Sequence, residues 1–180
     1  MLDLNNTSFE TERLTLRSCR MEDATALQAL MTPDISAWVA VWPTPLSLSA
    51  TEAILMECIA AMDAGHTFAA VVEEKATGLV IGWLKLDITS ADNVQTELGY
   101  WIGESFQRRG YAMEMSKGAI AFAFDTLGAK NVRAGAQVTN TASLTLLQKL
   151  GMAEDSVERV WAPARQRHEA CTFWVMDRPT

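Results

Sequence analysis

Between residues 97 and 112 the chain reads Glu97-Leu98-Gly99-Tyr100-Trp101-Ile102-Gly103, then Glu104-Ser105-Phe106, then Gln107-Arg108-Arg109-Gly110-Tyr111-Ala112. A strand-like stretch runs into a loop with two arginines and a glycine, and that loop opens a helix-like segment. Such a junction suits anion binding. The first N–H groups of a helix lack helical partners, and the positive end of the helix dipole adds to their pull. Arg108 and Arg109 contribute charge, and Gly110 lets a phosphate come close to the backbone. A pyrophosphate is the expected guest. The sequence contains neither G-x-x-x-x-G-K-[ST] nor G-x-G-x-x-G, so it carries neither of the two common nucleotide-phosphate loops. Taken alone, Q-x-x-G-x-A also fits a solvated basic helix start capped by glycine.

The surrounding residues narrow the choice. The stretch resembles the acyl-CoA pyrophosphate motif of GNAT acetyltransferases, R/Q-x-x-G-x-G/A, in its strand-loop-helix setting. ELGYWIGESFQRRGYAMEM is similar to the branch that acetylates the N-terminal alanine of ribosomal proteins. Thr11-Glu12-Arg13-Leu14-Thr15-Leu16-Arg17 resembles that branch's first strand. Asn140-Thr141-Ala142-Ser143, continuing to Gln148-Lys149-Leu150-Gly151-Met152, resembles its N-x-x-S…K-x-G-F/M helix. These segments fall in the right order between about Ser8 and Met176.

The resemblance implies a role for each matching residue. Gln107 opens the motif, and the backbone N–H groups of Arg108, Arg109, Gly110, Tyr111 and Ala112 would hold the pyrophosphate of acetyl-CoA. Trp101 and Ile102 would lie along the pantetheine arm, with an N–H near Trp101 polarising the thioester carbonyl. Asn140 would touch the cofactor near the next helix, or serve as a plain helix N-cap, or do both. The amine must be neutral to attack. At neutral pH roughly a tenth of an α-amino group (pKa about 7.7–8.0) is free base, against less than about a thousandth of a lysine side chain. A modest general base therefore suffices for an N-terminal acceptor, and Glu97 is the candidate. It shares a strand face with Gly99 and Trp101; the alternative is an ion pair with an arginine. Where many family members carry a tyrosine to protonate the departing thiolate, this chain has Leu147. Ser143 is the candidate acid in its place and a cofactor contact, with a local helix cap as the alternative. Trp38 and Trp42 would line the acceptor pocket or pack as a lid. The implied reaction is direct acetyl transfer to a primary amine, most nearly a protein or peptide N-terminus. A small amine (antibiotic, polyamine or amino acid) and a non-catalytic acyl-CoA-binding module are the alternatives.

These residues need elements to hold them. Arg13–Arg17 alternates as a half-buried strand. A helix is expected from Asp23 to about Met31, stopped by Pro33. Residues 33–49, with three prolines and two tryptophans, read as a loop or broken helix. Ser49 or Thr51 caps a helix to Asp63, with Gly65 beyond its end. Strands follow at Thr67–Val72, Gly78–Thr89 and Val94–Ile102, the last two joined by a turn over Ser90–Asn93. A long helix is expected from Gly110 to Leu127, with Ala112, Met115, Ala119 and Phe122 on its apolar face. A strand over Val132–Val138, a helix over Thr141–Leu150, and strands at Ala153–Trp161 and Ala170–Met176 complete the order. The class is α+β (mixed α/β). The GNAT resemblance implies a mixed, mostly antiparallel sheet of about seven strands flanked by about four helices, with residues 1–180 as one domain.

Composition sets outer limits. Of 180 residues, 49% are apolar and 21% charged, an ordinary globular mixture long enough for a substantial core. The N-terminus MLDLNNTSFETERL is polar and acidic, so no signal peptide is expected, and no apolar run approaches a membrane span. Fifteen basic against 22 acidic residues give a net charge of −7, which disfavours nucleic acid and tilts towards cationic acceptors. Cys19, Cys58 and Cys171 are widely spaced and show no C-x-x-C pair, as suits buried thiols in a reduced, cytoplasmic protein. His66 and His168 lack metal-ligand spacing, so no metal is expected. His168 falls in the charged turn Arg165-Gln166-Arg167-His168-Glu169, a hairpin expected to border the acceptor site. The oligomeric expectation is monomer or homodimer.

Overall fold

In the computed structural model, residues 2–89 and 95–179 are described; the turn expected over Ser90–Asn93 and the strand start at Val94 lie outside them. Eight strands form one sheet: β1 (Ser8–Glu10), β2 (Leu14–Ser18), β3 (Thr67–Glu74), β4 (Val80–Ile88), β5 (Gln95–Ile102), β6 (Asn131–Gln137), β7 (Ala153–Ala162) and β8 (Arg167–Asp177). The helices are α1 (Ala24–Leu30), α2 (Pro33–Ser36), α3 (Leu48–Asp63), α4 (Tyr111–Asp125) and α5 (Thr141–Lys149). The spatial order is β1-β2-β3-β4-β5-β6-β8-β7. Every neighbouring pair is antiparallel except β5 and β6, the ends of the one β-α-β unit. The sheet is thus mixed and mostly antiparallel, as expected, with one strand and one helix more than the sequence patterns suggest.

The departures have local causes. β1 is only three residues long, too short for its alternation to register. Within the stretch read as a loop, Thr32 caps a single helical turn at α2, with Pro33 in the first-turn position where its missing N–H costs nothing. The cap of α3 is Ser47, not Ser49 or Thr51: its side chain accepts from the N–H of Ala50 at 3.1 Å. Thr51 is buried inside the helix and donates its hydroxyl to Ser47 O at 2.9 Å. The closing hairpin extends further than expected, because β8 must reach along both β6 and β7.

The core lies mainly between β1–β4 and the helices. Phe68 is fully buried and packs tilted against Phe122 of α4 at 4.9 Å, and Phe122 stacks in turn with Phe9 at 4.9 Å. Met115, Ala119 and Phe122 form the inward face of α4, and Leu14, Leu16, Val71 and Val72 lie beneath. Phe68→Ala is expected to destabilise the protein by about 3–5 kcal/mol, the cost of a large aromatic removed from a packed core. A denaturant midpoint checks it. Among the described residues, no helix is long and apolar enough to cross a membrane.

Candidate active site

The site begins where β5 and β6 part. Their parallel pairing runs from Gln95↔Asn131 to Leu98↔Ala134 and stops. Beyond it β5 continues to Ile102 against β4, and β6 continues to Gln137 against β8. A wedge therefore opens through the sheet. The ladder phase fixes which backbone groups enter it. Gly103 N–H bonds Ile81 O and Thr89 N–H bonds Gln95 O, so the odd-numbered residues of β5 turn their N–H and C=O towards β4. Trp101 therefore spends its backbone on β4, whereas Tyr100 and Ile102 present theirs to the wedge. On this phase the expected N–H near Trp101 would be that of Tyr100 or Ile102.

At the mouth of the wedge stands the arginine loop. Arg108 has φ +61° and Gly110 has φ +83°. Left-handed geometry is strained for arginine and persists where surroundings enforce it. Gly110 is the N-cap of α4, so the first N–H groups of that helix point into the loop's hollow. Among the described residues, the N–H groups of Arg108 to Met113 donate to no backbone carbonyl outside the helix. Such a run of free N–H groups is an anion cradle. Side chains brace it. Gln107 Nε2 donates to Ile102 O at 2.9 Å, and Arg109 Nη2 donates to Ser105 O at 2.9 Å. Arg13, from outside the loop, donates to Arg109 O at 2.9 Å, pairs with Glu114 at 2.7 Å and lies over the Tyr111 ring at 4.5 Å. The Tyr111 hydroxyl donates to Glu74, and that bond holds the Glu74 carboxyl below its ordinary range. The loop is thus fastened to β2 and to the end of β3.

The two sides of the wedge differ. On one, α5 begins at Asn140, whose side chain accepts from Ser143 N at 3.2 Å, so the N-cap role is realised. Ser143 faces the hydroxyl of Tyr100, whose pKa is raised by burial and eased back by that serine. Leu147, where the family's tyrosine is missing, is buried against the same cleft. On the other side, Glu97, Gly99 and Trp101 share a face with Asp87, Lys85 and Trp83 directly across the register. Trp42 packs edge-on against Trp83 at 5.2 Å and Trp101 at 5.3 Å, forming an aromatic wall, while Trp38 stays 44% exposed at the rim. Both tryptophans therefore line the cleft, Trp42 from a core position. Gly99 faces open space: a Cβ there would meet nothing within 4 Å.

Glu97 is half-exposed and lies 3.7 Å from Arg133. Burial pushes its carboxyl above the ordinary range; Arg133 pulls it down, and Asp87 and Glu158 push it up again. The expected alternative, an arginine neighbour, is thus present, but at ion-pair distance without a hydrogen bond. Wedge, loop, tryptophans and carboxylates line one cleft of about 1560 Å³.

The far wall was less legible. Glu169 accepts from Arg165 at 2.6 and 2.8 Å, from Arg167 at 2.9 Å and from Gln137 at 2.9 Å, and the two arginines hold its carboxyl low. Arg165 also donates to Ser36 O and to Val39 O, the latter at 2.8 Å, and Gln137 donates to Ala37 O at 2.8 Å. This network clamps the β7–β8 hairpin onto the loop bearing Trp38 and Trp42. The hairpin does border the cleft, through Arg165 and Glu169; His168 is exposed and sits against Trp161 instead. His66 is exposed as well. Burial pushes Cys19 up to about 12 and raises Cys58 and Cys171, which keeps the three thiols protonated. Among the described residues, no group of three His, Cys, Asp or Glu side chains is placed to hold a metal.

The acetyltransferase (GNAT) domain family matches residues 13–153. The uncharacterized N-acetyltransferase p20 of Bacillus licheniformis is 28% identical over 159 residues, covering 87% of this chain and 88% of its own. Among solved structures, the ribosomal-protein-S5-alanine acetyltransferase of Vibrio fischeri superposes with TM-score 0.78 at 18% identity, over 97% of this chain and all of the other. The microcin C7 self-immunity acetyltransferase MccE, in complex with acetyl-CoA and AMP, superposes with TM-score 0.81 at 16% identity, over 93% of each chain.

Proposed function

Since the chain belongs to the acetyltransferase (GNAT) domain family and is an acetyl-CoA-dependent acetyltransferase, we propose that it acetylates the N-terminal α-amine of a protein or peptide, with residues 1–180 acting as one such domain. The observation that carries this reading is the opening through the sheet, with an anion cradle at its mouth and a carboxylate on one face. When bound, acetyl-CoA supplies the activated acetyl group. The N–H groups from Arg108 to Ala112 would hold its pyrophosphate, and Asn140 and Ser143 would border it along α5. The N–H groups of Tyr100 and Ile102 polarise the thioester carbonyl. The amine enters from the side of Trp38 and Trp42, and Glu97 takes its proton, directly or through one water. The proton for the departing sulfur comes from the opposite face, where Tyr100 and Ser143 adjoin. A thiolate with pKa near 8.5 makes little demand on that acid.

An α-amine suits these groups better than a lysine side chain, because a half-exposed carboxylate is too weak a base to deprotonate a group of pKa about 10.4 efficiently. The acceptor end also carries Glu57, Asp87, Glu97 and Glu169 beside Lys85 and Arg165, an acidic excess that favours a cationic chain. The test is turnover with acetyl-CoA on a panel of peptides with free N-termini, set against N-blocked lysine peptides, polyamines, amino acids and aminoglycosides. Fastest turnover on free N-termini is the expected result. Faster turnover on a small amine overturns the peptide assignment, and cofactor binding without turnover on any amine leaves an acyl-CoA-binding module.

A further inference from the structure

Arg133 is the only cation on the β6 side of Glu97 among the described residues, and its surroundings decide how much of its charge Glu97 receives. Its guanidinium carbon lies over the Phe173 ring, 3.6 Å from the centroid, and the side chain is 18% exposed. From β7, Glu158 takes a direct hydrogen bond from Nη2, Ser156 Oγ lies 3.3 Å from the same nitrogen, and Asp155 stands 4.0 Å from Nε. Glu97 is left at 3.7 Å from Nη1, beyond hydrogen-bond distance. The remaining neighbours of Glu97 are Asp87 and Lys85 on β4 and Cys171 on β8, with Glu57 and Cys58 of α3 beyond Asp87. Lys85 is itself paired with Asp87 at 2.9 Å. Both cations near Glu97 are therefore bound to other carboxylates.

The geometry points to Glu158 as a positioning residue for the transfer: by holding the guanidinium of Arg133 on β7, it leaves the Glu97 carboxylate free of a hydrogen bond from that arginine and able to accept the proton of the incoming amine. This rests on the reading of Glu97 as the base. With Glu158 present, Arg133 faces two acidic groups on β7 and gives Glu97 only a residual attraction. Without it, the same guanidinium needs to move less than about 1 Å to reach hydrogen-bond distance of Glu97. A carboxylate so paired is a weaker base, held ionised to lower pH. Phe173 fits beneath the guanidinium because Gly135 beside it has no Cβ: one built there would stand 2.5 Å from the ring.

The test is a ¹³C NMR titration of the Glu97 carboxyl carbon, assigned with Glu97→Gln, in the parent and in Glu158→Gln and Arg133→Gln. Glu158→Gln is expected to lower the Glu97 midpoint by about 1 unit, the scale of an opposite charge brought within about 4–6 Å. Arg133→Gln is expected to raise it, so the two variants shift in opposite senses, as generic loosening would not. Each is also followed by kcat/KM against pH on an N-terminal alanyl peptide, where the acid limb tracks the midpoint. An unmoved midpoint in Glu158→Gln overturns the inference whatever the activity. Midpoints that move while the acid limb stays in place overturn the base reading of Glu97 instead.

Discussion

Glu97→Gln is expected to lower kcat on an acceptor peptide by about 10²–10⁴-fold, the range supplied by a positioned proton acceptor, with acetyl-CoA affinity unchanged. Glutamine keeps the shape and reach of the side chain and loses the negative charge and with it the ability to take a proton. The two readouts separate because Glu97 stands on the face of β5 proposed for the acceptor, whereas the proposed cofactor cradle lies past the end of that strand at residues 107–112. The variant should also lose the acid limb of the pH profile. The sign follows from the raised carboxyl: the base is active above its folded-state pKa and is silenced by protonation as pH falls through it. Steady-state kinetics over pH, with calorimetric titration of acetyl-CoA alongside, measure both. A variant with full kcat would mean that the amine sheds its proton to water and that Glu97 merely neighbours Arg133.

What could be foreseen here depended on how local its cause was. The cradle at Gln107 to Ala112 was legible because a left-handed glycine at a helix start is dictated within a few residues. The apolar faces of β2, β3 and α4 follow likewise from periods of 2 and 3.6. The wedge was not legible from pattern alone, since it depends on where β5 and β6 cease to pair, a matter of register between segments 36 residues apart. That same register turns the Trp101 backbone to β4. Tyr100 was missed although a signal existed: it alternates with Glu97 on one strand, so the two must lie on opposite faces of the sheet. The clamp of Arg165, Glu169 and Gln137 on residues 36–40 had no such signal. Its bonds join residues as many as 129 apart, and a charged turn in sequence looks the same whether it faces water or a carbonyl. Glu158 was hidden for the same reason, as one more charge on an edge strand.

The pair Arg109→Glu and Gly110→Glu is expected to abolish acetyl-CoA binding in calorimetric titration, an affinity loss of at least about 100-fold, or roughly 2.7 kcal/mol. Three effects act together. Any side chain at φ +83° pays about 1–2 kcal/mol for the left-handed backbone. The new Cβ at residue 110 would sit in contact with Arg13 Nη2 at 3.4 Å, and the carboxylate it carries competes with the Arg109 carbonyl for that guanidinium. Two carboxylates then face the place where the pyrophosphate must sit, in a loop whose own hydrogen bond to Ser105 O has gone with Arg109. Gly110→Ala separates the terms: it carries the strain and none of the charge, so it should weaken binding by only about 10-fold. The unliganded fold should survive, because residues 107–110 are exposed and lie outside the packed core. Equal binding by parent and double variant would place the phosphates elsewhere on the protein. Absence of binding by the parent would remove the site itself. Loss in the double variant with partial loss in Gly110→Ala is the pattern that only a backbone cradle at the start of α4 accounts for.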